Sequence, residues 1–423
     1  MIDIIIVLIF AVSIIISIKY KFVQFKALKE TKRTLVDKKD KSVYQTFMVS
    51  LASHIGTGNI VGISTALIYG GAGSLFWMWI FAITSSIFSL MENTLAQIYK
   101  KRIDGEFRGG SCYYIKNGIN SKILASLFAI FLVLSNTIFF QPLQVNTISE
   151  TLRITFSLDK IIILGSLIIF TIIIIFGGTK KIVKFSEFIV PIMSIGYILI
   201  TSVIIIFNID LMPGIILRIF KEAFNIRSII GGGFSSCLLV GIRRSLFTHE
   251  AGLGTMPTIS AMADAKKPLD QGFVQVVGVY FDTLILCSLT GFVLLMYNVD
   301  LTLYDGCDLI INVFENILGD FGKYVSVFFL LSFALATVVS EYYLGESNLI
   351  FLTKYKKNKV FTILYKILFI SGIIIGVCLK TKEIWVIVDT GMVILGVFNL
   401  YTLYKLRKEF NNELEDFYRE KKS

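Results

Sequence analysis

Two stretches of this chain, Ile161 to Phe176 and Val190 to Phe207, contain no charged residue. A helix crosses the hydrocarbon of a bilayer in roughly 20 mostly apolar residues, and stretches of comparable length recur along the whole sequence. Within a membrane each segment must satisfy its own backbone polar groups, which a helix does and an open coil does not. Composition points the same way: 55% of the 423 residues are hydrophobic and 17% are charged, against about 45–50% and about 25% in soluble domains. The expectation is an all-α membrane protein. No Pro- or Ser-rich linker divides it, so residues 1–423 read as a single transmembrane domain.

The apolar segments lie at 2–18, 44–69, 72–98, 122–149, 160–177, 185–207, 227–250, 271–297, 322–348, 361–379 and 384–404, about eleven spans. The first reads as a retained span. A signal peptide starts basic and ends at a small-residue cleavage site, whereas here the first charge is Asp3, and Lys19 and Lys21 follow the apolar run. Basic residues then fill alternate loops: Lys19 to Lys41, Lys100 to Arg108, Lys180 to Lys184, Lys266 with Lys267, and Lys354 to Lys359. The opposite side holds Asp300, Asp305, Asp308, Glu315 and Asp320. Cytoplasmic loops collect Lys and Arg, so the N-terminus is expected outside and the tail, 405–423, in the cytoplasm. This placement accounts for the net charge of +11 without nucleic acid. The five cysteines are scattered, no CxxC pair occurs and there are two histidines, so zinc, haem and a disulfide framework are not expected. Nothing calls for a prosthetic cofactor or an obligate protein partner.

Two segments do not suit an ordinary lipid-facing helix. Ser53 to Gly62 places Gly56, Thr57, Gly58 and Asn59 in the middle of an apolar stretch. Each glycine costs a helix about 1 kcal/mol against alanine, and unwound backbone at membrane depth survives only inside protein or along a cavity. Gly58 and Gly62 also have the small-xxx-small spacing of a helix contact. The second segment, Thr248 to Pro257, holds His249, Glu250, Ala251, Gly252, Leu253 and Gly254; alone, it could be a loop at the membrane surface. With span 1 set aside, the breaks fall in matching places, in the first span of each following set of five. That is the pattern of an inverted repeat with its site at the midplane, and an odd number of spans per repeat forces opposite orientations. The expected organisation is therefore an N-terminal helix and basic loop (1–43), a first repeat (44–207), a second repeat (227–404) and the tail, with two discontinuous helices. A broken helix offers free N–H groups at one end and free C=O groups at the other; the first attract a carboxylate, the second a cation or an ammonium. A zwitterionic amino acid uses both.

Several blocks resemble the alanine or glycine:cation symporters, sodium-coupled carriers of small neutral amino acids in bacteria and archaea. They are Gly56 to Gly62 with Phe76-Trp77-Met78-Trp79, Phe107-Arg108-Gly109-Gly110 with Tyr113-Tyr114-Ile115, Glu250 to Gly254, Asp282-Thr283 with Cys287 and Thr290-Gly291, and Tyr342 to Glu346. The resemblance runs from about Phe22 to about Tyr404. It implies a cell-membrane transporter rather than an enzyme, importing a small neutral amino acid such as alanine or glycine with a sodium ion. It implies substrate contacts from Gly56, Thr57, Gly58 and Asn59, from Gln144, and from Ala251, Gly252 and Leu253. The sodium ion is expected between the first break, at Gly56, and Ala336-Thr337.

The sequence departs from that pattern at four places: His249 stands where the family usually has Asn, Ala336 where a second hydroxyl is usual, Ser340-Glu341 where Gly-Trp is common, and Gly110-Ser111-Cys112 for Gly-Pro-Met. His249 thereby joins the candidate substrate residues. Ala336 withdraws one oxygen from a hard cation, so proton coupling, exchange or a different small amino acid is the alternative reading. Glu341, an intramembrane carboxylate and hence a functional candidate, lies four residues past Thr337 and would compensate as a cation ligand or proton acceptor. Glu92 and Asp282 are expected to be structural partners, and Tyr113 and Tyr114 to sit in an interfacial belt or at a gate. A membrane enzyme built on His249-Glu250 lacks any accompanying nucleophile or metal set, and a channel would call for a ring of filter residues.

Overall fold

Long runs of isoleucine, leucine and phenylalanine form long helices. The computed structural model describes residues 2–37, 41–103, 105–175, 179–225, 237–297, 301–354 and 358–420. Among these, seven helices are long and apolar enough to cross a membrane: Ile2–Lys19, Gly73–Tyr99, Lys122–Phe156, Pro268–Met296, Asp320–Leu352, Lys359–Cys378 and Thr381–Lys405. These are spans 1, 3, 4, 8, 9, 10 and 11 of the expected order. Span 5 is Lys160–Ile175. Span 6, Thr179–Phe207, is followed by an abrupt bend of 75° that leads into a helix ending at Ala223. Spans 2 and 7 are the broken ones: Lys41–His54 continues in Val61–Gly70, and Cys237–His249 in Pro257–Ser260. The part of expected span 7 from 227 to 236 lies outside the described residues.

Local chemistry explains where span 4 deviates. It carries a π turn at Ser135–Phe139, just before Pro142, which has no N–H to give to a regular ladder. It also runs past the expected 149 to Phe156. Small residues let the spans approach closely, as membrane helices require. On span 10, a Cβ at Gly372 would lie 1.8 Å from the Thr137 carbonyl oxygen, and one at Gly376 would lie 2.6 Å from that of Pro142. Span 10 therefore packs backbone to backbone on span 4.

The order of elements repeats. Broken span 2 and long span 3 are followed by the short helix Ser111–Gly118 and then span 4; broken span 7 and long span 8 are followed by Gly306–Leu318 and then span 9. Span 3 packs on span 8, and span 4 on span 9.

Two features go beyond what was expected, and one expectation needs correcting. The helical class holds, but a small antiparallel hairpin pairs Lys101–Ile103 with Glu106–Arg108 around Gly105, whose φ is +83°. Segments on either side of the spans also pack on the bundle. Helix Ala27–Lys32 packs on the first half of span 8, and helix Arg407–Glu420 buries Phe410, Leu414 and Phe417. Tyr20 donates to Asn411 Oδ1 at 2.6 Å and meets Phe410 edge-on at 5.3 Å, while Phe417 lies 5.4 Å from Phe273. Tyr113 and Tyr114 do not form an interfacial belt: both are buried, Tyr114 donating to Ser111 and Asn399. Arg33, Asp270, Lys267 and Glu420 gather at one end of the bundle, and Asp3, Arg243 and Asp389 at the other.

Candidate functional site

The first break follows from side-chain competition for backbone groups. In an unbroken helix the Gly56 N–H would bond the carbonyl of residue 52; here it donates to Asn59 Oδ1 at 3.2 Å. Gly56 is extended (φ −131°, ψ −163°), and Thr57–Asn59 form one 3-10 turn before the helix resumes. The carbonyls at the end of Lys41–His54 are thereby released from the helical ladder. Span 8 holds the turn in place. Asn59 donates to the Asp282 carboxylate and, at 3.3 Å, to the Asp282 carbonyl, at the start of the π segment Phe281–Cys287. The Asn59 carbonyl accepts from Thr290 at 2.8 Å, and Thr290 is 2.7 Å from the Tyr197 hydroxyl of span 6.

Spans 4 and 9 close on the break. The Thr57 hydroxyl donates to Gln144 Oε1 at 2.6 Å. The Glu341 carboxylate interacts with the Gln144 side chain in turn. One helical turn back from Glu341, the Thr337 hydroxyl abuts Gly56 so closely that a Cβ there would lie 2.5 Å from it; the hydroxyl donates to the Phe333 carbonyl at 3.0 Å. Ala336 is buried beside it and brings no side-chain oxygen. Glu341 is 5% exposed. The structure thus brings Gly56, Thr57, Gly58, Asn59, Gln144, Ala336, Thr337 and Glu341 into one cluster.

The second break is built differently. Glu250, Gly252 and Gly254 all have positive φ, at 51°, 90° and 77°. Its N–H groups are already satisfied by protein. Glu92 of span 3 accepts from Gly252 at 3.2 Å and from Gly254 at 3.1 Å, and Asn399 of span 11 donates to Glu92 at 2.7 Å and to the Gly252 carbonyl at 3.0 Å. His249 Nδ1 accepts from Ala251 N–H at 3.0 Å, its Nε2 is 3.2 Å from the Ser85 hydroxyl, and its ring lies 5.5 Å from that of Phe81. His249, Ala251, Gly252 and Leu253 therefore face spans 3 and 11. Contact with the first break comes one turn earlier: a Cβ on Gly58 would lie 2.8 Å from Thr248 Cγ2 and 3.2 Å from the Phe247 ring.

Phe247 also belongs to an aromatic layer next to a pocket that Trp385 lines. Its ring meets Trp385 at 5.1 Å and Phe140 at 5.9 Å, both edge-on. Above Trp385, at 3.5 Å, lies the Arg244 guanidinium, which donates to Asp389 at 2.9 and 3.1 Å. The pocket over this layer, about 160 Å³, is also lined by Thr65, Tyr69, Val240, Arg243 and Lys382. Sequence reasoning missed this aromatic layer and the supports Thr290 and Tyr197. Arg244 and Asp389, charges within apolar segments, were the available signal.

Chains of known kind share this architecture and sequence. The chain is 36% identical over 434 residues to the probable sodium/glutamine symporter GlnT of Bacillus subtilis, covering 99% of this chain and 88% of that one. It is 35% identical over 410 residues to the amino-acid carrier protein AlsT of Bacillus subtilis, with 96% and 87% covered. It is 33% identical over 387 residues to the sodium/alanine symporter AgcS of Methanococcus maripaludis, with 89% and 84% covered. Among solved structures, a variant of the Eremococcus coleocola manganese transporter superposes with a TM-score of 0.54 over 86% of this chain and 77% of that one. Its 12% identity speaks for the fold alone. The family model described as sodium:alanine symporter family matches residues 1–423, and the chain belongs to that family.

Proposed function

We propose that this protein imports a small neutral amino acid, alanine or one of similar size, together with a sodium ion by alternating access. The observation that carries the reading is the joint between the first break and spans 4 and 9, where Thr57 meets Gln144 and Gly56 meets Thr337. Released carbonyls before Gly56 and the Thr337 hydroxyl suit a hard cation. The turn Thr57–Asn59 and Gln144 suit the polar end of an amino acid. The second break contributes through Phe247 and Thr248, with its N–H groups held by Glu92 and His249 as support. The repeated order of elements supports a division into repeats at 44–207 and 227–404. The basic loops support a cytoplasmic tail and an external N-terminus, which puts the Arg244–Trp385 pocket on the outer side. The Phe247, Trp385 and Phe140 rings then act as an outer lid.

A second reading replaces sodium by a proton, because Ala336 removes an oxygen from the cation site. One experiment separates the two. Protein in liposomes is given labelled alanine under an inward sodium gradient, then under an inward proton gradient alone. Sodium-dependent uptake is the expected result; uptake driven by protons without sodium favours the second reading, and no uptake under either rejects alanine as substrate.

A further inference from the structure

Glu341 is a buried carboxylate without a counter-charge. It is 5% exposed, and its Oε2 has no hydrogen-bond partner among the described residues. No Arg, Lys or His of the described residues pairs with it; the charged group that acts on it is Glu250, another carboxylate. The other intramembrane carboxylates differ. Glu92 accepts three hydrogen bonds, Asp282 takes the Asn59 amide, and Asp389 holds two arginines. Removing a charge from water is costly unless a partner of opposite sign meets it. Glu341 has no such partner among the described residues.

Its position indicates where the partner comes from. Glu341 engages Gln144, whose amide oxygen takes the Thr57 hydroxyl, so it faces the polar turn of the first break. The cation contact at Gly56 and Thr337 lies one helical turn away, about 5 Å along the axis. We infer that Glu341 is a specificity residue that binds a cationic side chain of the substrate, so the favoured substrate is a small amino acid carrying a second ammonium group. This rests on the site and the sodium coupling of the proposed function, and it changes the favoured substrate from a neutral to a cationic amino acid. The α-amino and carboxylate groups stay at the Thr57–Asn59 turn, and the second ammonium donates to the unpartnered oxygen of Glu341. A charge-assisted hydrogen bond in a desolvated site favours the cationic substrate over a neutral one of equal length by about tenfold to a hundredfold.

The test uses the full chain in liposomes with an inward sodium gradient. Uptake of 2,4-diaminobutyrate is compared with that of norvaline, which has the same length and no side-chain charge, and with alanine. The expected result is a kcat/KM at least about tenfold higher for the diamino acid, falling to parity or below in Glu341→Gln and partly retained in Glu341→Asp. A wild-type protein that takes up alanine but shows no preference for the diamino acid overturns the assignment and leaves the proposed function standing. A preference that survives in Glu341→Gln overturns it too. If no amino acid is taken up or shifts the unfolding temperature of the wild type, the proposed function falls and the assignment with it.

Discussion

Glu92 offers a measurable link between one carboxylate and the shape of the second break. Its Oε1 accepts from Gly252 at 3.2 Å, and its Oε2 accepts from Gly254 at 3.1 Å and from Asn399 at 2.7 Å. Three donors converge on one side chain that is 0% exposed. A buried donor left without a partner costs about 1–3 kcal/mol. Glu92→Gln retains one oxygen. Its better orientation keeps that oxygen toward Gly254 and Asn399 and turns the amide NH2 against the Gly252 N–H, stranding one donor at a cost of about 1–3 kcal/mol. Glu92→Leu strands all three, so its cost rises to about 3–9 kcal/mol if the losses add. The assay is the thermal unfolding midpoint in detergent, at fixed sodium and pH because anything that binds the folded state shifts the midpoint. The midpoint is expected to fall in the order wild type, Glu92→Gln, Glu92→Leu, with uptake lost in the last. A Glu92→Leu protein with the wild-type midpoint would refute the argument that this carboxylate holds the break together.

Two further perturbations probe other joints. Gly56→Ala places a Cβ 2.5 Å from Thr337 Oγ1 and must push the hydroxyl aside; we expect half-saturation by sodium to shift upward about tenfold, as for loss of one ligand worth about 1.4 kcal/mol, and an unchanged sodium titration would rule out a cation at this joint. Phe410→Ala removes a ring that is 0% exposed and packed edge-on to Tyr20; the expected loss is about 3 kcal/mol of local stability, read as faster proteolysis of the tail, and wild-type resistance would show that the tail docks by other contacts.

The sequence was most legible where a glycine or a charge stood in an apolar run. Gly56 to Asn59, also compatible with a close helix contact, marked the first break once the second segment fell in the matching place of the second repeat. Thr337 came from the family resemblance and Glu341 from its charge within an apolar span, and their spacing of four put both on one helix face. Glu92 and Asp282 were recognisable as supports, although the groups they hold were not. The direction a residue faces within a break was not legible. His249, Ala251 and Leu253 share a segment with Thr248, yet positive φ at Glu250 and Gly252 turns them toward spans 3 and 11. Such turns are set by which backbone N–H groups a distant carboxylate captures, and no periodicity records that. The short helix Gly306–Leu318 was missed because it buries one face and carries no span-length apolar signal.

The docking of helix Arg407–Glu420 has a consequence for biogenesis. Its partners are Tyr20 near the start of the chain and Phe273 in the middle, both synthesised long before Phe410 and Phe417. The spans therefore enter the bilayer while that apolar groove near the start of span 8 is still bare, and the groove fills only once residues 407–420 have been made. A chain cut before Phe410 would leave an inserted protein whose open groove exposes aromatic side chains to proteases and chaperones.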